Sequence, residues 1–248
     1  MRVAFRPAMG KKVHVTTAKE RYERAAADLA RECEDAGRDA AEVCLVAVSK
    51  TVGADEVEHA LQGGATDFGE NRPDQLVEKA DRFPQVRWHF IGNIQSRRIR
   101  DIVGRATLIH SLFQEGHARK IDDVARERGI VQDVLIEVNV SGEESKSGVA
   151  PDEAAGLVAL CNELENVRVR GLMTMAPQGD RRVARDTFEG LARLHGELRS
   201  RMTPEDAAAF TELSMGVSDD WREAVQAGAT IVRIGRAVFS NSFEIHEK

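Results

Sequence analysis

The stretch TELSMGVSDDWREAVQAGATIVRIGRAVF, residues 211–239, decides the fold. It holds two short apolar runs, TELSMG (211–216) and TIVRIG (230–235), around a segment of helical length. Ser218 stands where it can cap a helix over Asp219–Ala227, and Gly228 where it can stop it. A strand, a helix and a second strand make a parallel pair, because a parallel return needs a long crossover. The same rhythm extends back along the chain. Strands are expected at CLVAVS (44–49), ATDFGE (65–70), VRWHFIG (86–92), TLIHSL (107–112), DVLIEVN (133–139) and RVRGLMT (168–174). Helices are expected over Asp55–Gln62, Gln114–Arg128 and Pro151–Glu165, the last opened by a proline whose missing N–H costs nothing there.

Eight strands alternating with helices predict a single-domain (β/α)8 TIM barrel of the α/β class. An open doubly wound sheet has similar content, and the count of eight favours the barrel. An extra N-terminal helix is expected from Thr17 to Ala36, with Tyr22, Ala26, Leu29 and Cys33 on one face. Residues 1–16 read as a loose extension, and 17–248 as the barrel domain.

Composition narrows the function. Among 248 residues, 35 Lys and Arg against 41 Asp and Glu leave a net charge of −6, which argues against a general nucleic-acid binder. No apolar run approaches the ~18 residues of a membrane helix. At the N-terminus, Arg6 and Pro7 interrupt anything like a signal peptide. Cys33, Cys44 and Cys161 are sparse and form no CxxC pair, which points to a reducing compartment, with the cytoplasm as default.

In a barrel the chemistry sits where strands end. The first strand ends at Ser49-Lys50-Thr51. A lysine stem lying over the barrel mouth is partly desolvated, which exposes a neutral amine that attacks aldehydes. A lone lysine there more often snorkels to solvent. Asn71 follows the second strand, as a ligand contact or as a helix cap. His89 lies inside the third strand and reads as core. Met173 in the sixth could face a flat ring or fill the barrel top. Ser214, Met215 and Gly216 end the seventh strand; Gly235 and Arg236 end the eighth. Barrels commonly hold phosphate between these two loops. Alternation turns Arg233 inward beside Gly235, where it needs an acceptor: a pyridine nitrogen or a carboxylate. Schiff-base lysine, phosphate cup and ring-nitrogen arginine together describe a pyridoxal 5′-phosphate (PLP) site.

The sequence resembles the pyridoxal-phosphate homeostasis protein family, which has an alanine racemase-like barrel. The resemblance rests on LVAVSKTV, ATDFGENRPDQ, WHFIGNIQSRR, VLIEVNVSGEESKSGV, VRGLMTMAP, FTELSMGVSDDWREAV and GATIVRIGRAVF, in order over roughly residues 20 to 240. It implies PLP as cofactor, Lys50 as the covalent tether, Asn71 and Met173 near the ring, and Ser214, Met215, Gly216, Gly235 and Arg236 around the phosphate. Arg233 is implied at the pyridine nitrogen. Two positions depart from the family pattern: Arg236 replaces a small hydroxyl residue, and Asn93 stands where histidine or proline is common. Arg236 either reaches the phosphate or turns to solvent and leaves its backbone N–H to bind.

An arginine keeps the pyridine nitrogen unprotonated and weakens the ring as an electron sink. Racemisation then needs two bases, and the one tyrosine, Tyr22, lies on the first helix. The reading is therefore a monomeric PLP carrier in intracellular homeostasis, with no dedicated catalytic residue, no metal, no nucleic acid and no membrane. PLP-dependent apoenzymes are the implied recipients. Two alternatives stand beside it: a weak amino-acid racemase using His89 or His110, and a barrel that binds another phosphorylated ligand with Lys50 as a simple cation.

Overall fold

The structure, a computed structural model, describes residues 16–240. Of the loose extension expected over residues 1–16, all but Thr16 lies outside the described residues. Eight parallel strands close into a barrel in sequence order: β1 (Cys44–Val48), β2 (Asp67–Glu70), β3 (Arg87–Phe90), β4 (Leu108–Leu112), β5 (Gln132–Glu137), β6 (Val167–Met173), β7 (Glu212–Val217) and β8 (Ile231–Ile234). Closure sets Val46 of β1 against Arg233 of β8. The helices are α1 (Ala18–Asp35), α2 (Ala54–Gln62), α3 (Pro73–Arg82), α4 (Ile99–Ile102), α5 (Glu115–Arg128), α6 (Ala154–Asn162), α7 (Arg181–Arg199), α8 (Pro204–Ala209), α9 (Trp221–Gln226) and α10 (Arg236–Phe239). None of the described helices is long and apolar enough to cross a membrane.

Strands such as β1 and β5 read as nearly continuous apolar runs because both faces are covered. The outward side chains of the barrel strands, such as Phe68, Trp88, Phe90 and Ile109, pack under the helices in the main core. Their inward ones form a smaller apolar cluster of Val46, Val48, Leu108, Leu135, Met173 and Ile231. Helix α1 starts at a capping box: Thr17 N–H donates to Glu20 Oε2 at 2.9 Å, and Glu20 N–H to Thr17 Oγ1 at 3.3 Å. Arg21 fastens it to the far end of the chain, donating from Nε to the Val238 carbonyl at 2.7 Å.

Two helix starts differ from expectation. Pro151–Glu153 forms a turn, closed by the Ala150 N–H donating to Glu153 Oε2 at 3.0 Å, so α6 begins only at Ala154. Ser218 does not cap α9. Asp220 holds the turn instead, accepting from the Val217 N–H at 2.6 Å, which leaves the Ser218 hydroxyl to face β8.

Candidate functional site

A cavity of about 460 Å³ opens at the carboxyl ends of the strands. Lys50, Asn71, Met173, Arg233, Gly235 and Arg236, all singled out in the sequence, line it. Ser214, Met215 and Gly216 do not. Met215 is buried in the outer core under the helices. Gly216 adopts φ +88°, and a Cβ there would stand 2.6 Å from the Ala224 side chain, so it serves the packing of α9. Ser214 points inward but sits a layer below the cavity. The β7–β8 register shifts between Ser214 and Val217, and this puts Val217 and Ser218 at the rim in their place.

Lys50 sits on an exposed turn rather than in the desolvated setting expected from its sequence position. The residue before it is held firmly. Ser49 donates its hydroxyl to Glu70 Oε1 at 2.6 Å, and the buried Lys79 Nζ bonds both the Ser49 carbonyl at 2.8 Å and Glu70 Oε1 at 2.6 Å. An ion pair buried this deeply, at 1% and 0% side-chain exposure, makes a rigid foot for the lysine turn. Asn71 is not a helix cap, since Arg72 takes that position before Pro73. Its backbone lies against Gly92, where a Cβ would come within 2.0 Å of the Asn71 carbonyl oxygen.

The β7 and β8 loops form a small donor cradle. The N–H groups of Gly235 and Arg236 both point at the Ser218 hydroxyl oxygen, at 3.3 and 3.2 Å. The Arg236 side chain turns away to pair with Asp219. Of the two outcomes open for Arg236, the structure therefore shows a surface side chain with an inward backbone N–H. Across the cavity, the loop after β5 folds back on Asn139, whose Oδ1 accepts from the Gly142 N–H at 3.1 Å and whose Nδ2 donates to the Glu143 carbonyl at 3.0 Å. This brings Ser145, Lys146 and Ser147 to the wall. Ser147 reaches the departing residue Asn93, donating to its Oδ1 at 3.4 Å.

Arg233 is 3% exposed. Its guanidinium donates to Ser214 Oγ, to the Thr174 carbonyl at 3.0 Å and to Met175 Sδ at 2.9 Å. Burial pulls its pKa down to about 10, against the opposing charges of Asp220 and Glu137. Behind it runs a chain of polar groups through the barrel. Ser214 Oγ lies 2.8 Å from His110 Nδ1, His110 Nε2 lies 2.8 Å from His89 Nδ1, and His89 Nε2 lies 3.0 Å from Asp67 Oδ1. A carboxylate only accepts, so His89 donates from Nε2. With neutral rings, His110 donates to His89, Ser214 donates to His110, and the lone pairs of Ser214 face Arg233. Burial holds His110 well below the usual histidine range, and the positive charge of Arg233 works in the same direction. Burial works to raise Asp67, but hydrogen bonds from His89, Arg87 and Thr66 prevail and keep it well below the usual carboxylate range. Both histidines are engaged in this chain, and neither lines the cavity. His89 and His110, the bases named for the racemase alternative, therefore lie outside the cavity lining. Tyr22 is at the opposite end, in a hollow beside Cys44 and Asp67, and burial pushes it up to about 12.

Glu137 was missed in the sequence. It is the last residue of β5, lines the cavity and is 6% exposed. Burial raises its pKa to about 7, although Arg233 opposes the rise. Among the described residues, no cluster of His, Cys, Asp or Glu is arranged to hold a metal ion.

The alanine racemase N-terminal domain model matches residues 26–242. A pyridoxal phosphate homeostasis protein of Aquifex aeolicus is 39% identical over 223 residues, covering 89% of this chain and 96% of that protein. Its namesake in Deinococcus radiodurans is 40% identical, covering 85% and 95%. Among solved structures, PipY of Synechococcus elongatus with PLP bound superposes with a TM-score of 0.78 at 29% identity, covering 90% of this chain and 100% of that one. An alanine racemase of Clostridium difficile, at 12% identity and TM-score 0.66, shares the fold, and this chain covers 55% of it. The barrel, its order of strands and these matches over most of both chains make this protein a member of the pyridoxal phosphate homeostasis protein family.

Proposed function

We propose that this protein binds PLP in the cavity at the strand ends and holds it reversibly for intracellular homeostasis, without a dedicated reaction. The observation that carries the reading is the grouping of three functions around one cavity: the Lys50 amine, the Gly235 and Arg236 N–H pair, and the buried Arg233. The donor set fits the cofactor. Two backbone N–H groups share one neutral hydroxyl at long distance, and a dianionic phosphate is a stronger acceptor for them. A volume of about 460 Å³ lies within the ordinary range for small-ligand sites. When bound, the cofactor supplies an aldehyde with which a lysine amine condenses reversibly. The protein's own residues then do the rest. Lys50 tethers, the β7 and β8 loops neutralise the phosphate, and Arg233 donates toward the ring nitrogen from a fixed position. Members of the family named homeostasis proteins support the carrier reading. PLP-dependent apoenzymes are the recipients it requires.

The test is the visible absorbance of protein incubated with PLP, before and after borohydride. A yellow band that reduction converts to an adduct on the Lys50 peptide is the expected result. A colourless protein overturns the reading and leaves a barrel for another phosphorylated ligand. Turnover of an amino acid at ~1 s⁻¹ or faster would overturn the carrier role alone.

A further inference from the structure

Glu137 is a cavity group that the binding role leaves unexplained. Its Oε2 is buried without a hydrogen-bond partner, while the side chain lines the same cavity as Lys50. Stranding a buried carboxylate costs free energy unless the group is neutral or meets a ligand. Its surroundings supply no ion pair. The charged groups sharing the cavity are Lys50 after β1, Lys146 after β5, Arg233 of β8 and Arg236 after it. Arg233, whose guanidinium is committed to Ser214, Thr174 and Met175, acts on it through space. On the flanking strands, Met173 pairs with Glu137, and Leu112 of β4 pairs with its neighbour Ile136; His110 of β4 is held neutral.

Resting on the functional reading above, we propose that Glu137 is the proton-carrying residue of the cavity, serving the exchange of Lys50 for a primary amine on the carbon of a bound aldehyde. In that exchange a carbon–nitrogen bond forms to the entering amine and the bond to Lys50 Nζ breaks. With the carbon–nitrogen double bond protonated before and after, one proton passes from the entering nitrogen to Lys50 Nζ. Carbon keeps its oxidation level, so no oxidant or reductant takes part. A carboxyl poised near neutrality, with a free oxygen, can accept that proton and return it. The ligand class is a primary amine, an α-amino acid being one source, and the exchange lets a tethered aldehyde leave without waiting for water.

The experiment mixes PLP-loaded protein with glycine in a stopped-flow spectrometer from pH 5.5 to 9. The wild-type rate is expected to bend near pH 7. Glu137→Gln, similar in size but unable to titrate, is expected to lose the bend and to slow by ~10²-fold, while Glu137→Asp restores part of the rate. A second readout needs no cofactor: carbon-13 NMR of glutamate-labelled, ligand-free protein, with Glu137→Gln to assign the signal. A carboxyl titrating near 7 supports the proposal, and one in the usual carboxylate range overturns it. Equal rates and pH profiles for wild type and Glu137→Gln, with the yellow band intact, overturn this inference only. Absence of any band in the wild type overturns the functional reading and this inference with it.

Discussion

Arg233 donates a hydrogen bond to Ser214, a residue that does not reach the cavity its partner lines. The serine serves as the near end of the chain that continues through His110 and His89 to Asp67. Its task is to orient the arginine. Ser214→Ala strands a guanidinium N–H and the His110 Nδ1 lone pair in the barrel interior. A loss of about 1–3 kcal/mol for each stranded group follows, read as a lower urea midpoint. PLP affinity is expected to fall along with it, measured by fluorescence titration. An unchanged midpoint would show that the chain holds nothing.

Lys79 and Glu70 act on Lys50 from below through Ser49. Lys79→Met removes the cation and leaves a buried carboxylate, which costs about 3–5 kcal/mol. The thermal midpoint drops, and the surviving folded protein gives a smaller borohydride adduct at Lys50, because the turn carrying it has lost its anchor.

Ser218 and Arg236 separate hydroxyl from guanidinium at the donor cradle. The hydroxyl faces two backbone N–H groups, while the guanidinium pairs with Asp219 at the surface. Ser218→Ala is expected to lower the preference for PLP over pyridoxal, which lacks the phosphate, by ~10-fold, the equivalent of one hydrogen bond of ~1.4 kcal/mol. Arg236→Ala is expected to leave that ratio within about threefold, since exposed pairs contribute little.

Gly92→Ala tests the placement of Asn71. The new methyl would lie 2.0 Å from the Asn71 carbonyl oxygen, so the backbone at Asn71 or at residue 92 must shift. A stability loss of about 1–3 kcal/mol follows from such overpacking, together with weaker PLP binding. Retained affinity at full stability would show that Asn71 is not needed where it stands.

His195 sets an acid limit. It stacks on Phe210 with ring centroids 4.7 Å apart, and burial lowers its pKa from 6.5 to about 4. A base favoured in its neutral form when folded contributes stability that is complete above pH 6.5 and declines as pH falls toward 4. His195→Phe is expected to flatten this part of the stability profile, measured by urea melts across that range.

Strands such as CLVAV and QDVLIE were legible because a strand covered on both faces carries a run of apolar, β-branched residues that hydropathy reveals directly. That same coverage hides which face points inward. No polar alternation marks the phase of LSMG, so Ser214 was read at the cavity when the register shift places Ser218 there. Glu137, in LIEVN, looked like one polar residue in a strand, and only closure of the barrel brings it within reach of the Arg233 charge. Lys79 lies on α3, far along the chain from Lys50, and nothing local in EKAD announces a buried ammonium. Lys50, Asn71, Met173, Arg233, Gly235 and Arg236 were readable as cavity-lining residues because they lie at or just beyond the carboxyl ends of strands, where the fold opens its cavity.

The pairing of β1 with β8 also governs when the protein can begin to work. Lys50 follows the first strand of the barrel, whereas Arg233 lies in the last and Gly235 and Arg236 follow it. On the proposed function, a chain that has emerged only as far as β7 would carry the Lys50 amine with no cradle and no arginine beside it. On that reading, capture of the aldehyde awaits the final strand, and a prematurely stopped chain has only half a trap.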